Sequence, residues 1–217
     1  MSFRSREEAA RLLAARLSKY RGQHPLVLGV PRGAVPMARI IADAIDGDLD
    51  VVLVHKLRAP DQPELAIGGV DETGQSHLSD HAAALDIGAG YLEREKQTQL
   101  DELQRRRRLY TPVRPPFDPT GRIVIIVDDG IATGASMLTA IHCTRARKPA
   151  KLVVATAVAP PETLHQIKKE ADEVICLECP AMFYAVGQFF EEFPQVSDEE
   201  VMASLTPRHE STPIPAL

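Results

Sequence analysis

Residues 123–136 read Ile-Val-Ile-Ile-Val-Asp-Asp-Gly-Ile-Ala-Thr-Gly-Ala-Ser. An unbroken β-branched run is too apolar for either face to meet water, so it predicts a strand inside a sheet covered on both sides. The run stops at Asp128 and Asp129, and a loop of small and hydroxylated residues leads into a helical segment. In a parallel sheet of this kind, ligands bind beyond the carboxyl ends of the strands, which is where the two acids fall. Gly130 and Gly134 admit backbone angles that other residues avoid. The N–H groups of Ala132, Thr133, Gly134, Ala135 and Ser136 then converge at a helix N-terminus, where hydrogen bonding and the helix dipole both favour a phosphate. Carboxylates beside a phosphate are better used on sugar hydroxyls, so a sugar phosphate is the expected ligand class. The bland alternative is a strand-to-helix turn whose acids cap the helix. The stretch is neither a Walker A loop nor Gly-x-Gly-x-x-Gly.

The rest of the chain fits an α/β fold. Ser5-Arg6-Glu7-Glu8 is a capping-box pattern, and Ala9, Leu12, Leu13 and Leu17 follow at helical spacing, predicting a helix over residues 6–20. Five parallel strands are expected, at Leu26–Val30, Val51–Val54, Ile123–Val127, Leu152–Val158 and Glu173–Leu177. Helices are expected near residues 35–45, 135–147 and 162–170. The expected domain is single, residues 1–217, a Rossmann-like core (22–57 and 120–180) broken by an insertion at 58–119. Within that insertion Arg58–Gly74 reads as a long loop or small hairpin, Tyr91–Leu109 as a charged helix, and Pro112, Pro115, Pro116 and Pro119 as a stiff connector. An insertion of this length predicts a cap or flexible lid. Ser197-Asp198-Glu199-Glu200 opens a second capped helix to about Leu205 in the C-terminal segment 181–205, and 206–217 reads as a frayed tail.

Composition excludes some partners. The formal charge of −5 offers no net basic field for nucleic acid. Charges run through the first ten residues, so no signal peptide is expected, and no apolar run approaches the length of a membrane span. Three cysteines argue for a reducing, cytoplasmic setting. The Cys176/Cys179 pair lacks a second pair for zinc, and buried thiols are favoured. Arg105–Arg108 is expected to be a solvated helix face, with a contact to ligand phosphates or a partner as the sharper alternative.

Val-Asp-Asp-Gly-Ile-Ala-Thr-Gly-Ala-Ser resembles the donor-binding signature of type I phosphoribosyltransferases, which use 5-phosphoribosyl pyrophosphate (PRPP). Gly29-Val30-Pro31-Arg32-Gly33, His55-Lys56-Leu57, Pro63-Glu64-Leu65-Ala66-Ile67-Gly68 and residues 172–201 resemble a bacterial branch of that family with an undefined acceptor. The resemblance implies the type I fold with a hood and a flexible loop. It implies transfer of phosphoribosyl from PRPP to a nitrogenous base or amine, with Mg²⁺ as cofactor and a homodimer as a candidate assembly. It places Asp128 and Asp129 on the ribose, residues 132–136 on the 5′-phosphate, and Arg32, Gly33 and Lys56 on pyrophosphate. Arg32, Lys56 and Glu64 become the candidate catalytic residues, with Glu64 on a closing loop. Phe183 is the implied base stacker, and Glu191 joins Asp128 and Asp129 as a candidate metal ligand. His55 stands where this branch usually has Arg. Ala132 stands where hypoxanthine–guanine enzymes carry Asp, so no general base is identified and the acceptor stays open. A non-catalytic PRPP- or nucleotide-binding regulator of the same fold is the competing expectation.

Overall fold

The computed structural model describes residues 2–60, 62–78, 85 and 87–207, and within that range the side chains of Pro63 and Glu64 are not described. The main sheet has the five expected parallel strands: β1 (Leu26–Gly29), β2 (Asp48–Val51), β6 (Ile123–Asp128), β7 (Lys151–Val158) and β8 (Glu173–Glu178). Their order across the sheet is β2-β1-β6-β7-β8. Helix α1 (Arg6–Arg16) is capped by Ser5, whose side chain accepts the Glu8 N–H. It covers one face of the sheet together with α2 (Val35–Ala44), while α4 (Ala135–Ala146) and α5 (Pro161–Glu170) cover the other.

Alternation along each strand sorts the core into two layers. Val27, Ile125, Val127, Val153 and Ala155 pack toward Ala9, Leu13, Met37 and Ile41, whereas Leu28, Val124, Ile126 and Val154 pack toward Met137, Ile141, Leu164 and Ile167. The expected face of α1 needs a correction. Leu12 is 47% exposed, and the buried set is Ala9, Ala10, Leu13 and Ala14, with Leu17 just past the helix end. Small alanines bring the helix close to its neighbours, and that shifts the buried stripe by one position.

A second correction concerns residues 51–59. The expected single strand Val51–Val54 is divided: β2 ends at Val51, and Val54 opens β3 (Val54–Ala59) of a separate antiparallel sheet with β4 (Gln62–Asp71) and β5 (Ser76–Leu78). His55 and Lys56 therefore lie within the first strand of that sheet, opposite Val70 and Gly69, and not at the end of a parallel strand. Val52 and Leu53 are both buried and keep the apolar run continuous in sequence while the chain changes sheet. The expected loop or small hairpin at 58–74 is thus part of a three-stranded sheet, over which lies the charged helix α3 (Ala89–Tyr110). Residues 208–217 of the expected tail lie outside the described residues.

The basic run on α3 is not uniformly solvated. Arg107 Nη1 donates to Asp50 Oδ1 at 3.0 Å, and its Nε and Nη2 form a bidentate pair with Glu72. This triad ties the inserted sheet and α3 to the edge strand of the main sheet. Asp50 is only 2% exposed, so Arg107→Met would leave this buried carboxylate, and the half-buried Glu72, without their cation. Breaking such a buried pair costs about 3–5 kcal/mol, so the expected outcome is a clear fall in the urea midpoint with an unchanged slope. No described helix is long and apolar enough to cross a membrane.

Helix α6 (Asp198–Leu205) closes the chain with the predicted capping box, Ser197 Oγ accepting the Glu200 N–H and Glu200 accepting the Ser197 N–H. Before it, the two ends of the chain meet. Phe3 N donates to Phe189 O, Glu191 N to Phe3 O, both at 2.8 Å, and Glu192 N to Arg4 O at 2.9 Å. This clasp seats the start of α1 beside the carboxyl ends of β1 and β6.

Candidate active site

Strand β6 is apolar and buried up to Val127, so its pairing with β1 and β7 fixes where Asp128 emerges. Asp128 Oδ1 accepts the Asp129 N–H at 2.9 Å. Burial, and secondly the charge of Asp129, push the Asp128 carboxyl well above the ordinary range. Asp129 has a cation of its own: Arg6 Nε donates to its Oδ2 at 2.7 Å. Arg6 also donates from Nη1 to Pro194 O at 2.7 Å and lies 3.7 Å over the Phe193 ring.

The turn after β1 reaches the same place. Val30 N donates to Val127 O at 2.9 Å, which holds the start of the turn against β6. The Pro31–Arg32 peptide is cis. Gly33 packs so closely that a Cβ there would sit 2.1 Å from Asp129 Oδ2. Arg32 is half-buried, with Nη1 3.8 Å from Asp198 Oδ2. Arg6, Arg32, Gly33, Asp129, Val186 and Phe193 line a cavity of about 430 Å³.

The loop from Gly130 to α4 is held from three sides. Ile131 N donates to Val158 O at 2.9 Å, and Thr163 Oγ1 donates to Ala132 O at 2.7 Å. Gly134 takes φ 81°, a left-handed conformation that favours glycine, immediately before the helix. A Cβ on Gly130 would meet Val186 Cγ1 at 2.3 Å, so this glycine lets the C-terminal segment close on the loop. No side chain caps α4. Its first N–H groups are the orphan donors of a helix start, and Ala132, Thr133 and Ser136 beside them are exposed.

The remaining candidates are placed less centrally. Lys56 is half-buried in β3, and its neighbour His55 lines a second cavity of about 210 Å³ with Pro31, Leu103, Arg106 and Ser136. Glu64 lies on β4, and its side chain is outside the described residues. Phe183 is half-buried with its ring 5.3 Å from that of Phe189, whereas Tyr184 next to it is 86% exposed. Glu191 is exposed, and its backbone serves the clasp. Among the described residues no three His, Cys, Asp or Glu side chains converge as a metal site. Cys143, Cys176 and Cys179 are free thiols, and burial pushes Cys176 up to about 11.

Sequence reasoning missed Arg6 and Phe193, and named Arg106 only within the basic run Arg105–Arg108, whose sharper reading was a contact with ligand phosphates or a partner. Arg6 carried no local signal, since its carboxylate partner lies 123 positions away. Arg6→Ala would leave Asp129 uncompensated beside Asp128, a loss of about 1–3 kcal/mol. That loss is expected as a lower midpoint in urea unfolding at pH 7.

Comparison with known proteins agrees with this geometry. The family described as "phosphoribosyl transferase domain" matches residues 4–192. Two curated proteins from strains of Mycobacterium tuberculosis, each named "putative phosphoribosyl transferase", are 42% identical over 208 residues, covering 95% of this chain and 47% of theirs. The chain thus spans about half the length of the curated relatives it matches. The crystal structure of TT1426 from Thermus thermophilus superposes with a TM-score of 0.87 at 44% identity, covering 94% of this chain and 98% of that one.

Proposed function

The chain belongs to the phosphoribosyltransferase family, and on that premise we propose that it moves a 5-phosphoribosyl group from PRPP to a nitrogenous acceptor, releasing pyrophosphate. The observation that carries this is the acid pair Asp128–Asp129 at the end of β6, followed at once by an uncapped helix start. Asp128 and Asp129 accept hydrogen bonds from the ribose hydroxyls. The N–H groups of residues 132–136 and the Thr133 and Ser136 hydroxyls hold the 5′-phosphate. Arg32 and the amides around Gly33 take the leaving group, for which a guanidinium fork is well shaped. Lys56 and Glu64 belong to the inserted sheet, whose proposed part is to close over the donor and exclude water from a reactant prone to hydrolysis.

The transition state expected at C1 resembles an oxocarbenium ion, so the protein mainly positions the donor and stabilises departing charge. The donor set fits Mg²⁺: two adjacent carboxylates, one of them burdened by burial and by its neighbour, suit an ion that takes one or two carboxylates plus substrate oxygens. Asp128 and Asp129 would hold it, and Glu191 would have to turn inward to join them. When bound, it neutralises pyrophosphate charge and orients the donor. For the acceptor, the half-buried Phe183 is the proposed stacker, and the exposed Tyr184 ring is a second stacking surface next to it in the chain.

The test is pyrophosphate release from PRPP and Mg²⁺ across a panel of bases and amines. Release with at least one acceptor supports an enzyme. Tight PRPP binding with no release from any acceptor would favour the non-catalytic regulator instead.

A further inference from the structure

His55 occupies a position to which the donor contacts assign no role. Its Nδ1 lies 2.8 Å from Gln99 Oε1, and Gln99 Nε2 donates to Glu95 Oε1 at 3.1 Å. The amide nitrogen is committed to the carboxylate, so the amide oxygen faces the imidazole and Nδ1 carries the proton. Glu95 Oε1 also accepts the Arg58 N–H at 3.2 Å, which anchors the relay to the strand that bears His55. Nε2 is left as the basic nitrogen of the ring.

His55 lines the cavity of about 210 Å³ together with Pro31 of the turn after β1, Ser136 at the start of α4, and Arg106 from α3. The first two belong to the two loops that hold anions in the proposed site. An arginine and a histidine of fixed tautomer on one cavity between such loops are the residue types that suit phosphate oxygens. The charged groups around His55 are Arg106 in the same cavity, Glu102 bonded to Arg106 at 3.2 Å, Glu95 behind Gln99, and Lys56 next along β3.

We propose that His55 is a catalytic residue of the transfer, its imidazolium Nε2–H giving a proton to the departing pyrophosphate. The C1–O bond breaks with its electron pair going to the pyrophosphate oxygen, which takes the proton from Nε2. The C1–N bond forms from the acceptor's lone pair, and the proton displaced from that nitrogen goes to solvent, from which Nε2 is reprotonated. The proposal rests on the PRPP reading of the site.

The test uses the full chain with Mg²⁺ and two probes. Calorimetric binding of inorganic pyrophosphate is followed from about pH 5 to 8, the range in which an imidazole changes charge. Slow release of pyrophosphate from PRPP to water, which needs no acceptor, reports the chemical step. Wild type should lose affinity with rising pH more steeply than His55→Gln, and His55→Gln should slow release roughly 10²- to 10⁴-fold, the usual contribution of a general acid. His55→Arg should restore pyrophosphate affinity and remove the extra pH dependence. It should not restore release, because a guanidinium does not give up its proton at these pH values. His55→Gln matching wild type in both measurements, or His55→Arg restoring full release, would overturn the acid role. Wild type binding neither PRPP nor pyrophosphate would instead bring down the donor reading, and this proposal with it.

Discussion

Asp128→Asn is expected to stabilise the ligand-free protein while removing its affinity for PRPP. The carboxyl is buried beside Asp129, and both circumstances raise its pKa in the folded state. A raised carboxyl pKa means that the folded chain binds the proton more tightly than the unfolded one. The associated stability is present below the unfolded value and is lost as pH rises through the folded value. At neutral pH Asp128 therefore costs stability. Asparagine keeps an oxygen for the Asp129 N–H, now at 2.9 Å, and removes the charge. The Tm is therefore expected to rise at pH 7, and the rise should vanish at acid pH, where the folded and unfolded chains both carry the proton on Asp128. Thermal melts at the two pH values check the sign. A lower Tm at pH 7 would mean that Asp128 is structural, and the burden assigned to it would be wrong. Opposite signs for stability and binding mark a residue whose unfavourable placement is relieved by ligand.

Gly33→Ala is the second large effect. The φ of Gly33 is not in the left-handed region, so alanine is tolerated by the backbone itself. The conflict is with the site. The new Cβ would fall 2.1 Å from Asp129 Oδ2 and 3.2 Å from Arg6 Nη2. Either the turn moves away from β6 or the Arg6–Asp129 pair separates, and both displace groups assigned to ribose and pyrophosphate. The expected outcome is a loss of PRPP affinity of about 100-fold or more, since small misplacements in such sites cost factors of that order. Gly88→Ala, where a Cβ meets nothing within 4 Å, is the matched control and should bind as wild type does. Equal affinity for Gly33→Ala would remove the turn after β1 from the donor site.

Local pattern carried much of this architecture. Apolar runs marked four of the five strands of the main sheet and touched the fifth, β2, only at Val51, and the Ser197 capping box marked α6 to the residue. The stretch 128–136 was legible as a candidate site because acids, glycines and hydroxyls follow one another in consecutive residues. What stayed hidden depends on contacts distant in sequence. The apolar run through Val51–Val54 gave no sign that the chain changes sheets, because both sheets bury the same residue types. Arg107 looked like one more surface cation in a run of four, and only the fold brings Asp50 and Glu72 to it. Arg6 was legible as part of a helix cap and illegible as the partner of Asp129, since the clasp of residues 3–4 with 189–192 sets that register. His55 looked like a departure from the family pattern until Gln99 and Glu95 gave its ring an orientation.

The ribose assignment is decided by calorimetric titration of PRPP with Mg²⁺ into wild type and into the Asp128→Asn/Asp129→Asn double variant. Saturable binding is expected for wild type, and no measurable binding for a double variant that melts at least as high. Unchanged affinity in the double variant would contradict the placement of the ribose on Asp128 and Asp129.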